Sequence, residues 1–468
     1  MALSPKETKK ALDNSIKDGA LSDAKYGFSD YFTTPFALAL GATSEMIGVM
    51  DSVIQFIGTA SQPFATKIIN KVGSRKKVSI ICSLIQRSLW LPVMLIPFLI
   101  GAGDARIWLL IALLSFAYLF RSINLTSWTS WMLDIVPEKI RGRFFAKKSS
   151  IGNIAYMIAV IMAGALLQWF DGTYGFTLIF GIGLLLGFGA IIYMRKVPDL
   201  KLSEKCKRFH FSYRHFLHGV RNHENHSNFV FFMVFVEFAR NIHAPFIVVF
   251  LLRDLHLGYF WFSVLSSILI LSLTIFQIYW GGFSDKYGHN RTLKITYTLL
   301  PLIPVTLLFI SPAYSFMAII LMLMIYFIFD GFASAGFDLS AFNYLLETAP
   351  KEESHVFIAN YRFLTGIAIS LAYLTGGFLA TQYFEGSSFL WMTGLQILFL
   401  VSILLRITFP LVFISRFQPV FHKKSVNGKK LFVNALTTYP KRELVHEAFM
   451  LSHYMHKIEK RMFKLSGR

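Results

Sequence analysis

Apolar runs of membrane-crossing length alternate with short polar breaks along almost the whole chain. Twelve such runs lie near residues 15–41, 45–67, 78–101, 106–133, 147–170, 174–194, 228–252, 258–282, 293–311, 314–346, 355–383 and 387–415. A helix of roughly 20 apolar residues crosses the hydrocarbon core, and helices satisfy their own backbone groups there. The pattern therefore predicts an all-α integral membrane protein of twelve transmembrane helices. The first run is the least apolar, because Asp18, Asp23 and Lys25 stand near its start. Several breaks are only of turn length, as at Phe170-Asp-Gly-Thr-Tyr-Gly175 and Phe384-Glu-Gly-Ser-Ser388, which suits antiparallel helical hairpins.

Composition agrees. Of 468 residues 54% are hydrophobic, above the about 45–50% of soluble domains. The net charge of +20 would suggest a nucleic-acid partner in a soluble protein. Here most of the 46 Lys and Arg fall in one alternating set of loops and tails, whereas the other set holds only Arg106 and Arg253. Cytoplasmic loops carry the excess of Lys and Arg, so both termini are expected in the cytoplasm and no nucleic-acid partner is expected. The same parity requires the first run to be a span. Cys82 and Cys206 are the only cysteines, so no disulfide framework is expected. The start of the chain is polar and lacks a cleavable signal pattern. Short outer connections without glycosylation sequons suit a bacterial inner membrane.

The chain is internally doubled. Gly281-Gly-Phe-Ser-Asp285-Lys286-Tyr-Gly288-His-Asn-Arg291 has a degenerate copy at Thr66-Lys-Ile-Ile-Asn70-Lys71-Val-Gly73-Ser-Arg75, and Gly288 and Gly73 lie 215 positions apart. Asp134-Ile-Val-Pro137-Glu138 and Glu347-Thr-Ala-Pro350-Lys351 lie 213 apart. Two landmarks with nearly one offset predict two pseudo-symmetric six-helix bundles with a shared midplane cleft. The expected organisation is a tail at 1–14, bundles at 15–194 and 228–415, a basic cytoplasmic linker at 195–227 and a basic tail at 416–468. In that tail Leu444, Ala448, Leu451, Met455, Ile458 and Met462 recur at helical spacing beside Lys457, Lys460, Arg461 and Lys464. This amphipathic pattern fits either membrane lipid or packing on the bundle itself.

The Gly-x-x-x-Asp-Lys-x-Gly loop between spans eight and nine resembles the signature loop of the major facilitator superfamily. Its copy lies between spans two and three, the other place where that family carries it, and Asp134 to Arg141-Gly-Arg143 resembles the family's loop after helix four. The resemblance covers about residues 14–416. It implies a transporter whose gating loops include Gly73, Arg75, Asp134, Arg141, Gly281, Asp285, Lys286, Gly288 and Arg291. These loops would latch the outward-facing state, closed on the cytoplasmic side. The first copy departs from the pattern, with Asn70 in place of the acid and Thr66 in place of the first glycine. The family's fifth-helix Gly-Pro motif, common in drug antiporters, is not intact between Ile151 and Ala165. In the resembled fold helices one, four, seven and ten line the central cavity.

Ionisable groups in hydrocarbon are costly and tend to face a partner or a cavity. The mid-span set is Asp30, Arg87, Arg121, Glu237, Arg240, His243, Asp330, Asp338, Arg362 and Arg406. Asp30, Arg121, Glu237, Arg240, His243 and Asp330 are the candidates for substrate binding or proton coupling. Glu237 and Arg240 share a helix face, as an ion pair or as a coupling site. Adding 213 to Asp30 reaches His243, which places both at one height, either facing the cavity or hydrogen-bonded locally. Arg121 either pairs with Asp30 or meets an anionic group of the substrate. Arg87 and Arg362 suit structural or gating roles. Trp128 and Trp131 suit interfacial anchoring, and the four glycines from Gly181 to Gly189 suit close helix packing.

These observations predict a secondary active transporter of a small solute, working by alternating access, coupled to a proton or another ion, and acting as a monomer. The solute is expected to be zwitterionic or anionic. No phosphate-binding loop of the Gly-x-x-x-x-Gly-Lys-[Ser/Thr] kind occurs, so direct nucleotide drive is not expected, and neither is a cofactor or metal. The other readings are a membrane sensor that keeps the transporter fold, and a membrane-embedded enzyme. The second finds only a loose group of His210, His215, His218, His223 and His226 near Cys206 and Glu224, with no metal-ligand spacing.

Overall fold

The computed structural model describes residues 4–170, 172–199, 224–349, 354–384, 387–414 and 416. The amphipathic stretch after Pro440, Cys206 and most of the central linker, with His210, His215, His218 and His223, lie outside the described residues, whereas His226 is buried in span seven beside Thr348.

Among the described residues twelve helical spans are present. Span one joins Pro5–Phe28 to Thr33–Ala39 across a 3-10 turn at Asp30–Phe32. Span two joins Ser44–Ala60 to Gln62–Val72, and span three joins Arg75–Ser88 to Trp90–Leu99. Spans four, five and six are Asp104–Ile135, Arg141–Trp169 and Gly172–Arg195. Span seven joins Glu224–Asn241 to Ala244–Val249 and ends in a π turn at Phe250–Asp254. Span eight is Tyr259–Tyr287, and span nine runs from His289–Leu299 into a 3-10 stretch at Leu300–Phe309. Span ten is Phe316–Thr348, span eleven is Ser354–Leu379 with a π turn at Ala380–Phe384, and span twelve is Leu395–Ile414. A minimal antiparallel pairing of Ser388–Phe389 with Met392–Thr393 joins the last two.

Among the described residues nine helices are by themselves long and apolar enough to cross a membrane, the earliest being Arg75–Leu99. Their outward faces carry Leu99, Trp169, Leu185 and Ile325, each at least 60% exposed. Water would not tolerate that much apolar surface, but lipid solvates it. Span one begins ten residues before its expected start. Ser4 and Glu7 form a reciprocal capping box and Pro5 occupies the first turn, so the polar segment is helical too.

Glycine sets the turns between spans. Gly41, Gly73, Gly103, Gly172, Gly288 and Gly394 all have positive φ, which a Cβ would oppose. Proline and arginine together shape span nine. Pro304 has no N–H to offer the Leu300 carbonyl four residues back. Arg406 of span twelve donates to that carbonyl at 2.5 Å, and Gln396 donates to Leu307 and Ile310 at 3.0 and 2.8 Å. Buried Arg406 thus adds a side-chain bond to the carbonyl where span nine tightens into its 3-10 stretch.

Spans one to six pack as one bundle and spans seven to twelve as the other. They meet along two seams, span two against span eleven and span five against span eight. At the first seam Gly48 faces the Tyr373 carbonyl and Gly377, Ser52 and Ser370 hydroxyls lie 2.9 Å apart, and Thr59 packs on Gly366. The Glu45 amide donates to Thr381 in one π turn, and Arg253 in the other π turn donates to Ser44. At the second seam Gly164 meets Ser263 and the Tyr259 carbonyl. Tyr31 stacks on Phe262 nearby at 5.4 Å. Most of these contacts fall toward the ends of the spans distal to the chain termini. At the terminal ends the salt bridges found among the described residues stay within one bundle.

Gly376 illustrates how tightly spans seven and eleven seat. A Cβ there would stand 1.9 Å from the Ile242 carbonyl oxygen, in the break of span seven. The obstacle is backbone and cannot rotate away. Gly376→Ala is expected to destabilise the second bundle by about 1–3 kcal/mol, read as a lowered melting temperature of the purified protein.

Candidate functional site

Each bundle holds one charged cluster where its first span is broken. Span one stops at Ser29, whose hydroxyl turns back to the Lys25 carbonyl at 2.7 Å. The interruption presents the Asp30 carboxylate to two cations. Lys25 bonds it from the same span, and Arg121 of span four reaches it at 3.1 Å. Lys25 also lies over the Trp90 ring at 4.6 Å, and Arg121 over Tyr26 at 4.2 Å and Tyr118 at 5.2 Å. Asp30 and Lys25 are buried, whereas the Arg121 side chain is 35% exposed. Two cations share one acid, so the cluster carries an excess positive charge, and its exposed member is a guanidinium.

The second cluster has the opposite balance. Span seven is interrupted after Asn241. Arg240 reaches Asp338 of span ten at 2.7 Å and Glu237, one turn back, at 3.6 Å. It also donates to Ser334 at 3.3 Å, and Ser334 donates to Asp330 at 2.7 Å. One guanidinium serves two carboxylates, and the exposed member is Asp338, with 53% of its side chain accessible. The nearer partner of Arg240 is therefore Asp338 and not the helix neighbour Glu237.

Two tyrosines stand between the clusters. Tyr373 of span eleven donates to Asn241 at 3.2 Å, and Asn241 donates to Glu237 at 3.0 Å. Tyr118 lies under Arg121 and so borders the first cluster, as Tyr373 borders the second through Asn241. Polar residues of spans one, four, seven, ten and eleven thus form a band at mid-span.

Asp30 and His243 do occupy equivalent places, since both stand at the interruption of the first span of a bundle. Their environments differ. His243 is 2% exposed and lies edge-on to Phe399 at 5.6 Å. Among the described residues its Nδ1 has no hydrogen-bond partner. It sits in the core of the second bundle, not beside the exposed members of the band. Arg87 is buried, donates to Ser22 at 3.0 Å and packs on Gly187, whose missing side chain makes room for it. Trp131 corrects the interfacial expectation: it is fully buried and donates to the Pro198 carbonyl at 3.0 Å. Trp128 instead offers its ring to Lys148 at 4.2 Å.

The gating-loop residues lie at the terminal ends. Gly73 ends its helix in the left-handed region, and Arg75 begins the next. Arg75 bonds Asp134 and donates to the Ser130 carbonyl and hydroxyl, each at 3.1 Å. In the second bundle His289 lies 3.7 Å from Glu347. Glu347 is the repeat partner of Asp134, and His289 follows Gly288 as Ser74 follows Gly73. The same acid at the end of spans four and ten therefore holds the start of the helix after each glycine turn. Arg141 donates to the Leu133 carbonyl at 3.0 Å. Gly281 packs lightly on Leu339, and Lys286 lies 5.3 Å from the Tyr287 ring. Asp285 and Arg291 lie in the same turn region, on either side of Gly288.

Two residues of this band escaped sequence reasoning. Lys25 looks like a charge at the mouth of a weak span, but it is an integral partner of Asp30. Asp51 lies within span two, half-buried beside the first seam. Its position inside an apolar run was the available signal.

The sequence profile described as Major Facilitator Superfamily matches residues 26–326 and 229–455. No curated protein sequence matches the chain. Among solved structures, a mutant of the nucleoside transporter NupG superposes with a TM-score of 0.69 at 16% identity, covering 87% of this chain and all of that one. A bacterial homologue of the human lysosomal transporter Spinster, inward-facing and unoccupied, gives 0.65 at 14% identity over 90% of this chain and 100% of that one. A bacterial homologue of the iron transporter ferroportin, inward-facing, gives 0.65 at 13% identity over 88% and 99%. At such identities the likeness concerns the fold.

Proposed function

Because the chain belongs to the major facilitator superfamily, we propose that it is a secondary transporter that moves a small zwitterionic solute by alternating access. The solved relatives with this fold are transporters, and solute transport is the coarse reading they support. The charge class rests on one observation: the exposed member of the first cluster is the Arg121 guanidinium, and that of the second is the Asp338 carboxylate. A solute with an anionic and a cationic group would engage both halves at once. A guanidinium with spare donors takes a carboxylate or phosphate in a bidentate manner. Bridging both bundles stabilises the shut cleft more than the open one, which is what lets a ligand shift the conformational equilibrium.

Contacts concentrated toward the distal ends support assignment to an inward-open state. The basic loops at the terminal ends support a cytoplasmic position for both termini. Proton coupling is the drive that intramembrane carboxylates favour.

The test is ligand-induced thermal stabilisation of the purified protein across matched zwitterions, anions and cations. Zwitterions are expected to raise the melting temperature of the wild type. Arg121→Gln should abolish the rise for zwitterions and anions, and Asp338→Asn should abolish it for zwitterions alone. Stabilisation by anions that Asp338→Asn leaves intact, with no preference for zwitterions in the wild type, would reduce the substrate class to anions.

A further inference from the structure

Building on the alternating-access reading above, we propose that the Asp51 carboxyl of span two takes up and releases the coupling proton, being protonated while the distal seam is shut and ionised when it opens. Asp30, Glu237, Asp330 and Asp338 each accept a hydrogen bond or ion pair from a side chain. Asp51 has neither among the described residues. It lies in the middle of the helix Ser44–Ala60 and directly precedes Ser52, whose hydroxyl touches Ser370 across the two bundles. Gly48, one turn earlier, is the point of closest backbone approach between spans two and eleven. Asp51 is thus an acid without a partner beside a seam that must part.

The groups on every packed element support this assignment. Spans four, seven and eleven pack against the helix that carries Asp51. Their titratable and charged side chains near mid-span are Tyr118 and Arg121, then Glu237, Arg240 and His243, and then Tyr361, Arg362 and Tyr373. Tyr118 lies against Arg121 and Tyr373 donates to Asn241, so neither supplies a cation to Asp51. Arg121 is engaged by Asp30 and Arg240 by Asp338, and among the described residues no basic side chain bonds Asp51. Among the described residues no cation pairs with an ionised Asp51 while the bundles are in contact, so its negative charge depends on the water that reaches it. Water entering the opened seam would solvate the anion. The link is reciprocal: protonation closes the seam, and opening the seam releases the proton. Tyr118 leads toward the first charged cluster and Tyr373 toward the second, which places the exchanging proton between the two halves of the solute site.

Two measurements on the full-length protein in lipid nanodiscs test this without a known solute. The first is labelling by dicyclohexylcarbodiimide, which reacts with neutral carboxyls in apolar surroundings, read by peptide mass spectrometry. Asp51 is expected to be the predominant labelled acid, with labelling falling as pH rises. The second is the distance between spin labels at Tyr174→Cys and Leu390→Cys, in a background lacking Cys82 and Cys206. Raising the pH should lengthen this distal distance in the wild type, whereas Asp51→Asn should hold the short distance at every pH. Absence of Asp51 labelling, or an Asp51→Asn variant that lengthens as the wild type does, overturns the assignment. A wild type whose distance never responds to pH, although Asp51 is labelled, overturns proton-coupled rocking itself.

Discussion

Replacing Asp30 by Asn is expected to destabilise the first bundle by about 3–5 kcal/mol, the usual cost of removing one partner from a buried ion pair. Lys25 is 2% exposed and has no other acid among its described contacts, only the rings of Tyr26 and Trp90. Aromatic faces offer a cation far less than a carboxylate does. The purified Asp30→Asn protein should melt well below the wild type. The double variant Lys25→Met/Asp30→Asn should recover much of the loss, because the remaining cation, Arg121, is partly exposed and can find water. An Asp30→Asn melting temperature equal to that of the wild type would contradict the central place given to this triad.

The second large effect is conformational. A Cβ on Gly48 would stand 2.6 Å from the Tyr373 carbonyl oxygen and 2.8 Å from the Gly377 Cα. Both obstacles are backbone, so Gly48→Val must push spans two and eleven apart. The variant is expected to fold and to remain open at the distal seam. With Ser370→Cys as reporter and the native cysteines replaced, a membrane-impermeant maleimide should react at least about tenfold faster in Gly48→Val than with Gly48 intact. Such a change corresponds to about 1.4 kcal/mol in the seam equilibrium. Equal rates would mean that the helices absorb the methyl groups without parting.

Much of the scaffold was legible in the sequence because lipid imposes a strict length and a strict sidedness. Twelve runs, the parity of basic loops and the repeat offset led to the architecture without any tertiary information. The weak first run shows how the argument has to work: local composition spoke against a span, and only the topology of the rest required one. The offset pairs Asp30 with His243, and each stands at an interruption of its helix. It could not say that one would be an ion-pair centre and the other a core imidazole, since side-chain surroundings are not inherited with the backbone. Arg240 was read with its helix neighbour Glu237, because spacing reveals partners along one helix and hides those on another. Its shorter bond goes to Asp338, 98 positions away. Arg406 could not be explained at all until the Leu300 carbonyl, 106 positions away, came beside it in space.

The duplicated loop carries a related lesson. In each bundle an acid at the end of span four or ten reaches the helix that follows the glycine turn. Arg75 with Asp134 and His289 with Glu347 are the described pairs, and each stays within its bundle. Both pairs brace the bundle internally. On the alternating-access reading proposed above, pairs internal to a bundle are expected to persist through the cycle.

Span one has a consequence for how the protein is made. A nascent chain meets the bilayer in sequence order, yet its leading helix carries Asp18, Lys25 and Asp30 and is not apolar enough to partition into lipid alone. The counter-charges that make it soluble there, Arg87 and Arg121, are synthesised later, in spans three and four. Span one is therefore expected to settle in the bilayer only together with spans three and four, whose cations neutralise its acids.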